Sequence, residues 1–496
     1  MVSSDLQRYA RATWCSFEKL VVASTGLPAD YIGGDLSPEG RARYTSPTDI
    51  AMYLWAVLAA RDLGFISPQA ALERSRQALG SLSALERHER SGQFYNWYDP
   101  TTLAKLTLWP EGAHAAVHPF ASSVDNGWLA SALIMLAQAI PALHGSAWAL
   151  VSSMDFASYY NPHAKGTGPG CGLMRGGFWR LGEEPPECLA LPRGDYSNMG
   201  ETVVYTSHHY GAFNTETRIA SYIAIALGQV PSEHYFAPLR TFSDTREGAW
   251  QEAKPVGQWR SYLGIDVFEG AYTYGGRRLV PTWGGSMFEA LMPTLVVPEK
   301  QWGKSSWAVT HPLYVESQIE FGLEEAGYGY WGFSPASDPG GGYREYGVCA
   351  LGMDPNGYAA DTASLTLFDP GWENGDSARP PRPIVSYGKG VVTPHAAFLA
   401  LDFAPQAALA NLAALRRDFP SLYGAGGFKD SVNVATGQVA DRHLALDQGM
   451  IMAAATNALL ENRLQGYLGP TLRASLEPLM QMEEFSAGRA LRPERS

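Results

Sequence analysis

Six times along this 496-residue chain, a polar or glycine-bearing turn carrying an acid, a Thr or a His runs straight into a helix of small apolar residues. The first three are Thr48-Asp49 before Ile50 to Ala60, Val124-Asp125-Asn126-Gly127 before Trp128 to Ala137, and Asn214-Thr215-Glu216 before Ile219 to Leu227. The others are Gly284-Gly285-Ser286 before Met287 to Leu295, Thr393-Pro394-His395 before Ala396 to Phe403, and Leu446-Asp447-Gln448-Gly449 before Met450 to Leu460. A helix that is apolar all round has no stripe left for water and must be buried inside a larger helical protein. The polar groups collect at the beginnings of these helices.

Between them lie segments with more charge and a one-sided pattern, which read as outer helices: Leu6 to Val21, Pro68 to Arg87, Pro231 to Leu239, Pro312 to Glu325, Pro405 to Asp418 and Tyr467 to Met480. Several open with Pro, where a missing N–H costs nothing. Alternating inner and outer helices predict an all-α fold, an (α/α)6 toroid with long aromatic-rich loops over a central cleft. No charged linker or low-complexity tract divides the chain, so one domain over 1–496 is expected, with a flexible tail from about 481.

The net charge of -12 disfavours nucleic acid as a partner, because phosphate binding needs a basic stripe. No apolar run reaches the length of a membrane span, and no charged-then-apolar leader follows Met1. A soluble protein is expected, cytoplasmic or exported, with no membrane partner and an open oligomeric state. Four cysteines make no disulfide framework, although Cys171 and Cys188 flank one loop and could pair on export. Aromatic residues are 12% of the chain, with 14 Trp, and are expected to crowd the loops at Trp97, Tyr98, Trp109, Trp128, Trp179, Tyr210, Tyr328, Tyr330, Trp331, Tyr343 and Tyr346. Flat rings beside carboxylates suit a sugar, whose apolar faces stack while its hydroxyls bond to acids and amides.

Long connections carry function more often than short ones, and three stand out: Glu89 to Val124, Asn161 to Phe213 and Gly327 to Val392. Gly340-Gly341-Gly342 in the last has no phosphate-loop spacing, so it reads as tight backbone near a ligand. Glycosidic cleavage needs one carboxylic acid to protonate the leaving oxygen and one carboxylate to activate water or attack carbon. The pattern offers Asp49, Asp125, Glu216, Glu289, Glu345, Asp430 and Asp447. Glu216 is the chosen proton donor, because His208, His209, Tyr210 and Phe213 beside it can exclude water. The same Asn-Thr-Glu order also suits an ordinary helix cap. His208-His209 lacks the spacing of a metal pair, so no metal and no cofactor are expected.

The stretches around Asp125-Asn126-Gly127, Thr215 to Ala226, Trp283 to Pro293 and Leu446 to Met450 together resemble the glucoamylase-like bacterial proteins. That group is related to the endo-β-1,2-glucanases of glycoside hydrolase family 144 and to the transglycosylating domain of cyclic β-1,2-glucan synthases. The likeness runs from about Leu6 to about Tyr467. It implies a metal-free (α/α)6 barrel that cleaves β-glucan of β-1,2 linkage, or sophoro-oligosaccharides, with inversion. Glu216 would be the acid and Asp447 or Asp430 the base, with room for that base to act through a substrate hydroxyl. In the synthase domain the tract resembling Trp331-Gly332-Phe333-Ser334 continues with a Glu, whereas here Pro335 follows. Glu345 or Asp338 could replace that acid, and its loss favours inversion. Asp125, Asn126, His208, His209, Tyr210, Arg218, Glu289, Trp331, Tyr343 and Tyr346 are then expected to bind the sugar. A polysaccharide lyase using Tyr210 and His209, with Arg218 and Arg344 facing a uronate, and a non-catalytic glycan-binding protein are the competing readings.

Overall fold

The computed structural model describes residues 2–164, 172–186, 191–243, 253–353 and 390–489. Its helices are α1 (Val2–Leu20), α2 (Pro47–Asp62), α3 (Pro68–Ala84), α4 (Ser123–Ala139), α5 (His144–Ser152), α6 (Arg218–Ala226) and α7 (Met287–Leu291). After these come α8 (Glu299–Trp302), α9 (Trp307–Glu320), α10 (Pro394–Leu399), α11 (Pro405–Asp418), α12 (Ala445–Leu459) and α13 (Gln465–Met482). Each of the six apolar segments contains one of them, namely α2, α4, α6, α7, α10 and α12.

The six follow one another as neighbours. Helix α2 packs between α12 and α4, α4 meets α6, and α10 lies between α7 and α12. Arg218 joins α6 to α7 by donating to the carbonyls of Glu289 at 3.0 Å and Ala290 at 2.8 Å. Their burial explains why the sequence carries no polar stripe: every residue from Pro47 to Ala60 in α2 is buried. Close approach also explains two motif glycines. A Cβ on Gly127 would sit 2.8 Å from the Cα of Ala220 in α6, and one on Gly449 would sit 2.5 Å from the Met52 side chain in α2. Outside this circuit, α1 covers α12 and α2, α3 covers α2, α5 covers α4, α9 covers α7 and α11 covers α10.

The all-α expectation is corrected, because several small sheets fill the loops. The expected outer helix at Pro231 to Leu239 is only a 3-10 turn, Ser232–Phe236, and three antiparallel strands come later: Val256–Tyr262, Ile265–Tyr274 and Arg277–Leu279. Two-residue turns with positive φ make this meander: Leu263 and Gly264 at 51° and 82°, Gly275 and Gly276 at 52° and 75°. Such turns match the twist of the strands they join. A second four-stranded sheet pairs Ala121–Ser122, Gly177–Arg180, Val203–Tyr205 and Arg193–Gly194. It delivers Ser122, whose hydroxyl caps α4 by accepting the Asp125 N–H.

Two boundaries also shift. Pro312 lies inside α9, and a single π turn, Phe321–Glu325, ends that helix. The expected loose tail is held at its start: Gly488–Arg489 pairs with Arg277–Arg278, and the buried Glu483 receives Arg240 Nε at 2.8 Å. Residues 490–496 lie outside the described residues, as do Cys171 and Cys188. Among the described residues no helix is long and apolar enough to cross a membrane.

Candidate active site

Glu216 stands two residues ahead of α6, so its carboxylate is not the helix cap that its neighbours suggested. It accepts the indole N–H of Trp128, from α4, at 3.1 Å. Burial drives its pKa up to about 8, the charges of Asp125 and Glu289 add to the rise, and the Trp128 bond and Arg218 oppose it. A buried carboxyl among like charges keeps its proton near neutral pH. Asp125, in the first turn of α4, accepts the Thr48 hydroxyl of α2 at 2.6 Å. The starts of α2, α4 and α6 therefore meet at one place.

Asp49 closes a capping box on α2 by taking the Ser46 N–H at 2.8 Å and the Ser46 hydroxyl at 2.9 Å. It is pushed well above the usual carboxylate range, first by burial and then by the charge of Asp30. Asp30 itself rises to about 7, again chiefly by burial, against hydrogen bonds from Tyr44 and Asp49. Asp30 and Tyr44 lie in irregular segments with no helical period, and sequence reasoning passed over both.

A second carboxyl group faces this cluster. Asp430 and Asp447 come from a loop and from the first turn of α12, are 2% and 1% exposed, and bring carboxylate oxygens within 4.8 Å of each other. Burial and the Asp447 charge push Asp430 well up, while burial takes Asp447 to about 7 with the Asp430 bond opposing. The Ser337 N–H donates to Asp430, fixing it from below. Thr393 spends its one hydroxyl hydrogen on the Asp430 carbonyl at 2.6 Å, so at 2.8 Å it can only accept from His395 Nδ1. That sets the tautomer with hydrogen on Nδ1, which also lies 3.2 Å from Asp447 Oδ2. Burial lowers His395 to about 4, so it stays neutral. Among the described residues no other fixed donor reaches the Asp447 oxygens.

Sequence spacing offered no metal set, yet the fold brings His395, Asp430 and Asp447 together with one donor atom each within 4.8 Å. A nitrogen and two carboxylate oxygens are a chemically reasonable cation set. A proton held between the two carboxyls would compete for the same space.

One cleft of about 490 Å³ is lined by Asp30, Tyr31, Tyr44, Ser46, Asp49, Trp97, Trp109, Asp125, Trp128, Glu216, Ser337, Tyr343 and Arg442, while the buried Asp430 and Asp447 lie behind its wall, next to Ser337 and Leu446. Tyr343 lines the cleft and stays 49% exposed. Tyr210 is raised by burial and by the charges of Glu216 and Asp125, so it stands on the same side as the acid.

Other expected contacts lie elsewhere. Arg218 spends all five N–H groups inside the protein, on Glu299 at 2.7 and 2.9 Å and on the carbonyls of Thr215, Glu289 and Ala290, so it has none for a sugar. Against burial, which alone would raise it, Arg218 and His311 hold Glu299 down to about 2. Asn126 is fully buried and pins the backbone of Phe94. Glu289 caps α7 through Ser286 and Gly284. Trp331 is buried, with its backbone tied to Asn411. His209 is held by Asn161 at 3.0 Å, and His208 is exposed beside it. Glu345 is exposed, while Tyr346 is buried and donates to Asp338.

Residues 252–467 match the family model Glycoamylase, described as "Putative glucoamylase", and residues 8–161 match one described as "Protein of unknown function (DUF3131)". The chain is 23% identical to the cyclic beta-(1,2)-glucan synthase NdvB of Rhizobium meliloti, in a match covering 96% of this chain and 18% of that protein. It thus spans 18% of the length of the curated relative it matches. An endo-beta-1,2-glucanase from Chitinophaga pinensis, solved with sophorotriose and glucose, superposes with a TM-score of 0.64 at 16% identity over 97% of this chain and 98% of that one. A beta-1,2-glucanase from Parabacteroides distasonis gives a TM-score of 0.66 at 14% identity, covering 97% and 60%. At such identities the structural likeness speaks to the fold. The glucoamylase-like resemblance read from the motifs is thereby met by a family match, glucanase-type neighbours and a distant glucan-synthase relative.

Proposed function

We propose that this chain is a glycoside hydrolase of (α/α)6 architecture, a single catalytic domain that cuts β-1,2-glucan or sophoro-oligosaccharides with inversion of the anomeric carbon. The observation that carries the reading is one aromatic-walled cleft lined by the buried carboxyl of Glu216, whose pKa is pushed up to about 8, with the buried pair Asp430 and Asp447 behind the cleft residues Ser337 and Leu446. The closed circuit of α2, α4, α6, α7, α10 and α12 supports the barrel. The glucanases that share the fold and the glucan-synthase relative support the linkage.

In this reading Glu216 gives its proton to the glycosidic oxygen as the bond breaks. Burial keeps the proton on Glu216 near neutral pH, and the developing alkoxide is basic enough to take it. Asp447 takes the proton from the attacking water, directly or through a substrate hydroxyl. Asp430, pushed further up, keeps its proton and holds Asp447 in place beside the neutral His395. Pro335 supplies no carboxylate for a covalent intermediate, which supports inversion over retention.

Reducing-end release across linear β-1,2-, β-1,3-, β-1,4- and β-1,6-glucans tests the assignment. Cleavage confined to the β-1,2 polymer, and lost in Glu216→Gln, is the expected result. Cleavage of another linkage would reassign the substrate, an unsaturated product would replace hydrolysis with elimination, and full activity in the variant would remove Glu216 from the chemistry.

A further inference from the structure

The tryptophans divide into two populations. Trp55, Trp302, Trp307 and Trp331 are fully buried core residues, and the equally buried Trp128 turns its indole N–H to Glu216 at the cleft. Trp97 and Trp109 are instead half-buried on the long loop before α4, and they line the cleft with the half-buried Tyr31 and Tyr44. Trp97 stands at 84° to both Tyr44 and Trp109, with centroids 5.4 and 5.9 Å away, so the rings form a corner with two flat faces. Tyr44 and Trp109 are 4.4 Å apart, and the Arg442 guanidinium lies 4.4 Å over Tyr31.

The corner is held before any ligand arrives. Glu111 accepts the Tyr31 hydroxyl at 3.0 Å and the Arg43 N–H at 3.3 Å, and the Trp109 N–H reaches Ala115 O at 2.7 Å. Among the described residues neither indole N–H of Trp97 and Trp109 finds a protein acceptor. A series of neighbours leads from this corner to the acid: Asp30 is influenced by Tyr44 and Asp49, Asp49 by Asp125, and Asp125, which accepts the Thr48 hydroxyl, acts on Glu216. The rings stand at the Asp30 end of this series and Glu216 at the other.

We infer that Tyr31, Tyr44, Trp97 and Trp109 form a distal sugar subsite that stacks one pyranose ring of a bound glucan. The two indole N–H groups and Arg442 supply hydroxyl contacts, while Asp30 and Asp49 bind the stretch of chain between the rings and Glu216. The inference rests on the proposed hydrolase reading for its ligand class, and it makes chain-length preference a property of the loop before α4.

The test measures affinity for linear β-1,2-gluco-oligosaccharides of increasing length by calorimetry, in a Glu216→Gln background that prevents turnover. Trp97→Ala and Trp109→Ala should weaken binding of long oligosaccharides about tenfold, and of the shortest ones far less. Trp97→Phe and Trp109→Phe, which keep an aromatic face and so guard against misfolding, should give a smaller loss with the same length dependence. Equal weakening at every length, or none at any, overturns the subsite. Wild-type cleavage alongside such length-independent binding would sink only the subsite. Ring-dependent binding without wild-type cleavage would sink only the hydrolase, and no binding at any length would sink both.

Discussion

Glu216 has an unusual demand placed on it: it must stay protonated at a pH where an ordinary glutamate is ionised. Its rise to about 8, against about 7 for Asp447, sets the expected pH profile. Activity should climb as Asp447 ionises near pH 7 and fall as Glu216 deprotonates near pH 8, giving a narrow bell in kcat/KM. A profile flat from pH 5 to 10 would detach both groups from catalysis. Glu216→Gln should cut kcat by roughly a hundredfold to ten-thousandfold, the usual worth of a positioned acid. The same shift has a stability consequence. A carboxyl whose folded pKa is raised stabilises the fold below its unfolded pKa and loses that contribution as pH climbs through the folded value. Glu216→Gln should therefore melt above wild type at pH 9, with the gap closing towards pH 4; a gap independent of pH would contradict the buried-acid assignment.

At the scale of elements, α6 and α7 meet through one guanidinium. Arg218→Met should cost about 3–5 kcal/mol in urea denaturation, because it leaves Glu299 buried with only His311 and Tyr222 beside it. A loss within 0.5 kcal/mol would show that the α6–α7 contact stands without it. Gly127→Ala should also destabilise, by about 1–3 kcal/mol, since its new methyl meets the backbone of Ala220. Helices were the readable part of this sequence, because full burial erases the polar stripe and leaves a signal in composition alone. Capping added to it: Ser46 and Ser286 close boxes with Asp49 and Glu289. The sheets were harder to read, since Val256–Tyr262 is mostly exposed and shows no clean alternation. Arg218 was misread for a different reason. Its partner Glu299 lies far along the chain in the four-residue α8, with nothing local to point to it.

For the whole molecule, function lies where helix starts from distant parts of the chain converge. The sequence marked Asp125, Glu216 and Asp447 because each sits beside an apolar helix, but Asp30, Tyr31, Tyr44 and Arg442 reach the cleft from segments without periodicity. Long-range pairing between Tyr31–Gly33 and Arg442–Leu444 brings those residues together, and no single window contains that information. The same convergence assembles His395, Asp430 and Asp447. If a shared proton fills that space, dialysis against EDTA leaves turnover unchanged and added divalent cations do not raise it; loss on chelation with recovery on one metal would put an ion there instead. The most direct test of the whole account is proton NMR of the first products released from linear β-1,2-glucan. An α-anomer appearing first, then relaxing to the equilibrium mixture, is the predicted outcome; a β-anomer appearing first would contradict the acid and base arrangement assigned to Glu216 and Asp447.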